Sequence, residues 1–293
     1  MNRSAIDAPQ KSVKNAFARR SFERFMANRL AVLGLVFALL LTLASLVVPF
    51  ISPHGVNDMN TANRLAPPSL EHPLGTDSLG RDFMTRLLYG GRVSIAVSIT
   101  SALICSFIGV IIGCVAGYIG GKIDDFLIFV SEIFSTFPTT ILILILVGFM
   151  GRSLLNLVLI FGLTSWMSTA RIVRGRVLSL REEPFVEYYV SNGISGWSIM
   201  FRHLIPNMFG PITVAFTLNM AGFVLAEAGL SFLGLGAPSA VPTWGNLINA
   251  ARSLNVIQNY PMLWIAPGVV ISIFVLGINF FGDGLRDALD ATQ

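Results

Sequence analysis

Charge is scarce in this sequence: Asp, Glu, Lys and Arg make up 12% of 293 residues, against 54% hydrophobic, and the mean hydropathy is +0.71. Soluble chains carry about twice that charge, so lipid is the solvent for most of this one. Cysteine is nearly absent. Cys105 and Cys114 lie nine positions apart in one apolar run, on opposite faces of a helix, which excludes both a disulfide and a metal pair. The three histidines, His54, His72 and His203, are scattered and form no ligand spacing, so no metal is expected. There is no G-x-x-x-x-G-K-[ST] loop to cradle phosphates; the nearest stretch, Gly120-Gly121-Lys122, is followed by Ile123. H-E-x-x-H and G-x-S-x-G are also missing. These absences exclude an ATP-driven pump in one chain and give no site for covalent chemistry.

What is present is a series of long apolar runs. About 20 residues of helix cross about 30 Å of hydrocarbon. Leu30 to Ile51, Val93 to Tyr118, Phe126 to Met150, Leu154 to Ala170, Met208 to Leu235 and Pro261 to Phe281 reach or approach that length. The fourth is short and carries Thr164, Ser165, Ser168 and Thr169, whose hydroxyls are expected to bond to neighbouring helices. Continuous runs of this kind exclude a barrel of alternating strands. The expectation is an all-α membrane protein with six transmembrane helices.

Seven basic residues, Arg3 to Arg29, precede the first run, which places that tail in the cytoplasm. Six spans then return the C-terminus to the cytoplasm, leaving 14 basic residues inside and 6 outside. Thr42-Leu43-Ala44 offers a small-x-small pattern for a cleaved signal peptide. The tail is long for that role, however, and the apolar run continues to Ile51, so the run reads as a span. The expected organisation is a basic cytoplasmic tail over 1–29, a first span over 30–51 and an extracytoplasmic loop over 52–92. A five-helix core follows over 93–293, with a cytoplasmic loop at 171–207.

Two acids fall inside apolar runs. Glu132 and Glu227 are candidates for a pathway, but Glu227 is flanked by Ala226, Ala228 and Gly229, so hydrogen bonding to a neighbouring helix is the stronger reading. The rival is an ion-coupled secondary transporter that uses one of these carboxylates.

The 171–207 loop is the most informative segment. Pro184 after Glu182-Glu183 marks a helix start, Gly193 a break, and Trp197 to Leu204 a second short helix ending before Pro206. Glu187, Gly193 and the run Arg202-His203-Leu204-Ile205-Pro206-Asn207 resemble the E-A-A…G…L-P signature of binding-protein-dependent ABC importer permeases. Tyr188 and Tyr189 stand at the two alanine positions.

Three more stretches resemble the dipeptide/oligopeptide permease family, C-type subunit: His72 to Asp82, Leu230 to Gly236, and Gly282 to Asp290. That resemblance implies a type I ABC importer permease fold. It implies a homologous second permease, two ATP-binding subunits that hold ATP and Mg, and an extracytoplasmic solute-binding protein; no nucleic acid partner and no cofactor on this chain are expected. The implied location is a bacterial cytoplasmic (inner) membrane and the implied cargo di- or oligopeptides, with nickel or another small solute as the alternative. It also implies that the 171–207 loop seats in the ATPase. Trp244, Leu247, Ile248 and Ala251, apolar positions of an outer helix expected over Trp244 to Ile257, would face the solute-binding protein.

Overall fold

The computed structural model describes residues 19–289. Arg3, Lys11, Lys14 and Asp290 lie outside the described residues, as does the side chain of Ala251. The described chain is helical: α1 (Arg29–Ile51), α2 (Phe83–Ile119), α3 (Gly121–Thr136), α4 (Thr139–Met150), α5 (Leu154–Thr164), α6 (Trp166–Arg181), α7 (Pro184–Ser191), α8 (Gly196–Ile199), α9 (Phe209–Phe232), α10 (Trp244–Ile248), α11 (Leu254–Asn259) and α12 (Met262–Leu289). Among the described residues, five helical stretches are long and apolar enough to cross a membrane: α1, α2, α5 with α6, α9 and α12. The pair α3 and α4 makes a sixth if its two arms count as one span.

That pair departs from the expected straight span over Phe126 to Met150. The arms meet at 83°. Pro138 is the cause: it lacks an N–H, and its ring drives Phe137 into extended geometry (φ −82°, ψ 133°), which ends α3. The expected start of the second span moves as well. Asp82 caps α2 by accepting from the Thr85 amide at 2.7 Å. The helix then runs unbroken for 37 residues, so a boundary at 92 falls inside it.

α2 is the axis of the bundle, with α1, α5, α6 and α9 packed on it. α12 packs on α1 and α9. Crossings are close because small residues meet there. A Cβ added to Gly34 of α1 would sit 2.5 Å from the carbonyl oxygen of Gly277 in α12. The main core lies around Phe161, Phe223, Trp244 and Phe274, all buried. Phe161 stacks on Phe223 at 5.3 Å, and Trp244 meets Phe274 edge-on at 5.3 Å. Of the hydroxyls in the fourth run, Thr169 bonds across helices, accepting from Asn219 Nδ2 at 3.0 Å, whereas Thr164 turns back to the Ile160 carbonyl at 2.6 Å.

The 52–82 segment forms a compact cap at the start of α2. Gly80 has φ +74°, and a Cβ there would run into the Asn60 carbonyl, so only glycine closes this turn. Asp77 gathers the cap: it accepts from the amides of Leu79 and Arg81 and pairs with the Arg81 guanidinium at 2.7 Å. Buried Arg86 lies 3.5 Å from the same carboxylate and donates to the Val56 carbonyl at 2.9 Å.

Candidate functional site

The 171–207 segment stands at the opposite end of α2 from the cap. It begins inside α6, which continues to Arg181, and turns through Glu182-Glu183 into α7 with Pro184 in its first turn. Gly193 makes the corner at φ +71°. Space around it is open, so the requirement for glycine is conformational and not steric. The turn is closed by Gly193 N–H to the Val190 carbonyl at 2.9 Å and Ile194 N–H to the Tyr189 carbonyl at 3.1 Å. Ser195 then caps α8, accepting from the Ser198 amide.

The second helix does not stop before Pro206, as the sequence suggested. α8 passes into a π-helical turn, Met200–Leu204, and then a last helical turn, Ile205–Asn207. The Ile205 amide reaches back to the Met200 carbonyl. The extra residue in the turn widens the ladder where the Pro206 ring would otherwise strike a carbonyl.

The segment is bound rigidly to the bundle by its own core. Val186, Ile199, Met200, Leu204 and Met208 are buried with Cys114 of α2 and Val173, Val177 and Leu180 of α6. Tyr189 turns inward and stacks on His203 at 3.9 Å. Glu187, Tyr188, Gly193, Arg202, Pro206 and Asn207 are exposed, and Tyr188 retains 65% of its surface. Of the two tyrosines in the place of alanines, only Tyr188 presents its bulk outward. Val190, 56% exposed beside it, is a further apolar side chain on that face that the motif did not single out.

A second feature lies between α2, α3 and α6. Glu132 is exposed in the wall of a cavity of about 380 Å³, together with Arg171, Arg174, Ser131 and Met167. Next to it, Arg174 grips Asp124 of α3 with two bonds of 2.6 Å.

Glu227 has a different setting. It is 1% exposed and accepts from Ser231 at 2.7 Å, Thr243 at 2.7 Å and Ser94 at 3.2 Å. Ser94 in turn accepts from the Trp244 amide, and Trp244 Nε1–H donates to the Leu87 carbonyl at 3.0 Å. The carboxylate therefore knots α2, α9 and α10 together. Glu132 and Glu227 lie in separate environments.

In the α10 region, Trp244 and Leu247 are buried against the bundle, while Ile248 is half-buried. The expected continuous helix to Ile257 breaks at Ser253, whose backbone is extended (ψ 120°). Leu254 consequently swings outward and is 74% exposed. Beside it a cavity of about 650 Å³ is lined by Arg81, Arg86, Arg152, Arg252, Asn246 and Asn255.

Residues 109–292 match the family described as binding-protein-dependent transport system inner membrane component, and residues 16–68 match the N-terminal TM domain of oligopeptide transport permease C. The chain belongs to that transport family. This permease family supplies subunits of transport systems and not enzymes, and its coupling to an ATPase is general. The ion-coupled rival therefore falls away. A provisionally named peptide permease protein of Brucella suis is 40% identical over 272 residues, covering 92% of this chain and 90% of the relative. A dipeptide transport system permease protein of Alkalihalophilus pseudofirmus is 38% identical (93% and 89% covered). An oligopeptide transport system permease protein of Escherichia coli is 38% identical (91% and 88% covered).

Proposed function

We propose that this permease subunit forms half of a peptide import pathway in a bacterial inner membrane, with six spans and both termini in the cytoplasm. The proposed partners are a homologous second permease, two ATP-binding subunits and an extracytoplasmic solute-binding protein. Excess basic charge in the tail and at the 171–207 end supports this orientation. Peptide cargo is supported by the names of the relatives, two of which are dipeptide and oligopeptide permeases.

The observation that carries the mechanism is the 171–207 segment: a glycine-cornered helix pair with a buried inner face shared with α2 and α6 and an exposed outer face of Glu187, Tyr188 and Val190. A short helix fused to the ends of long helices passes on a rotation without deforming. In this reading the outer face seats in the ATPase. Closure of the ATPases on ATP turns α7 and α8, and with them α2 and α6. The solute-binding protein docks at the cap end, where exposed Arg252, Leu254 and Asn255 join the contact that the family resemblance implies for Trp244, Leu247, Ile248 and Ala251 and stand in for buried Trp244 and Leu247. The organisation reads as a tail over 1–29, a first span over 30–51, a cap and a core, with the cap ending at Asp82.

The test is cross-linking in native membranes through the thiol of a Tyr188→Cys variant. A cross-link to the ATP-binding subunit whose yield changes on nucleotide addition is the expected result. Labelling of that introduced thiol only from outside intact cells would invert the orientation and end the reading.

A further inference from the structure

The cap holds a cluster that plays no part in the proposed coupling. His54 and His72, read from sequence as scattered, are brought together with ring centroids 4.7 Å apart. Glu71 lies beside them, and one ligand atom from each of the three falls within 4.8 Å of the others. We propose that His54, Glu71 and His72 form a binding site for a divalent transition-metal ion of the Zn²⁺ type.

The donor set suits such an ion. Two imidazole nitrogens and one carboxylate oxygen make a three-ligand N/O site with a fourth position open to water. At bonds of about 2.1 Å, tetrahedral donors stand roughly 3.4 Å apart, so the widest gap closes by about 1.4 Å. The Glu71 side chain is free to close in on the two rings, because it is exposed and its carboxylate engages no partner among the described residues.

Both rings are already oriented. His72 is buried, and its Nδ1 lies 2.9 Å from Asp82 Oδ1, the carboxylate–imidazole arrangement that fixes the tautomer and leaves Nε2 with a free lone pair. Asp82 is itself anchored as the N-cap of α2. The His54 ring bonds the Glu71 carbonyl at 3.1 Å through Nε2. Its backbone amide bonds Ser52 Oγ, which lies 2.7 Å from Thr85 Oγ1 on the same helix turn.

The electrostatics select a cation. The three residues open on a cavity of about 190 Å³ whose wall also holds Asp58, Asn60 and Asp82 and, among the described residues, contains no Lys or Arg. An ion here would tie the chain leaving α1 to the chain entering α2.

The experiment uses the transport complex purified whole, stripped with a chelator, and titrated with Co²⁺ and then Zn²⁺. Metal content per complex and the visible absorption of Co²⁺ are compared among wild type, Glu71→Gln and His54→Ala. Glu71→Gln removes the charge of an exposed side chain and His54→Ala removes a half-buried ring, and both leave the His72–Asp82 pair intact. The expected result is one ion more in wild type than in either variant and at least a tenfold weaker affinity in each. Equal metal content and equal affinity in all three proteins, or no ion retained by wild type, overturns the proposal.

Discussion

Gly109, Gly113 and Gly117 lie one turn apart along α2 and form the groove into which α6 fits. A Cβ on Gly113 would stand 2.4 Å from the Ala170 carbonyl oxygen and 2.9 Å from Val173 Cβ. Carbon needs about 3.3 Å from a carbonyl oxygen and about 3.5 Å from another carbon, so Gly113→Ala must push α6 away by roughly 0.6–0.9 Å. Because the obstacles are a backbone carbonyl and a β-branched side chain, neither swings aside. The cost expected for such overpacking is about 1–3 kcal/mol, partly offset by up to about 1 kcal/mol from helix propensity. Gly175 of α6 has nothing within 4 Å of its would-be Cβ, and Gly175→Ala should be neutral or stabilising. Thermal unfolding of the purified complex measures both. Peptide-stimulated ATP hydrolysis should also fall in Gly113→Ala, since α2 and α6 carry the 171–207 segment between them. Equal stability of the two variants would refute the close-packing argument.

Gly193→Ala forces a Cβ into left-handed geometry at a cost of about 1–2 kcal/mol; faster amide exchange over residues 190–199 with lowered ATPase stimulation is expected. Tyr189→Ala should destabilise the segment by removing the stack on His203, whereas Tyr188→Ala should leave stability unchanged and weaken retention of the ATP-binding subunit on affinity purification. Glu227→Ala strands three buried hydroxyls, each worth about 1 kcal/mol or more, and should lower the unfolding temperature; Glu227→Gln, which still accepts, should keep transport. Arg174→Ala should loosen α3, read as faster exchange over 121–136, and a swapped Asp124→Arg/Arg174→Asp pair should restore part of the protection.

The apolar runs were legible because hydrocarbon thickness leaves few alternatives for 20 uncharged residues in a row. The bend in α3 and α4 was legible too, since Phe137-Pro138 sits in the middle of the third run, yet length and hydropathy outweighed it. At Pro206 the reverse happened: a proline read as a stop is carried by a π-turn, which no local pattern announces. The glycine spacing along α2 was visible in the sequence, but which helix it receives depends on tertiary packing. Trp244 and Leu247 had the right periodicity for an interfacial helix. Periodicity tells which residues share a face, not whether that face meets a partner or the chain's own core. His54 and His72 are joined only by the irregular path of the cap, where neither a period of 3.6 nor of 2 applies.

α2 is a single rod of 37 residues, about 55 Å at 1.5 Å per residue, longer than the hydrocarbon it crosses. It projects from the bilayer, locked at one end by the Asp82 cap and at the other by the Cys114 cluster. A rod held this way acts as a lever arm. A tilt of only 5° displaces the far tip by about 5 Å, comparable to one helical turn. In the proposed coupling, small angular work done on one side of the membrane would thus become a stroke of side-chain size on the other, carried by α2 together with the helices packed on it.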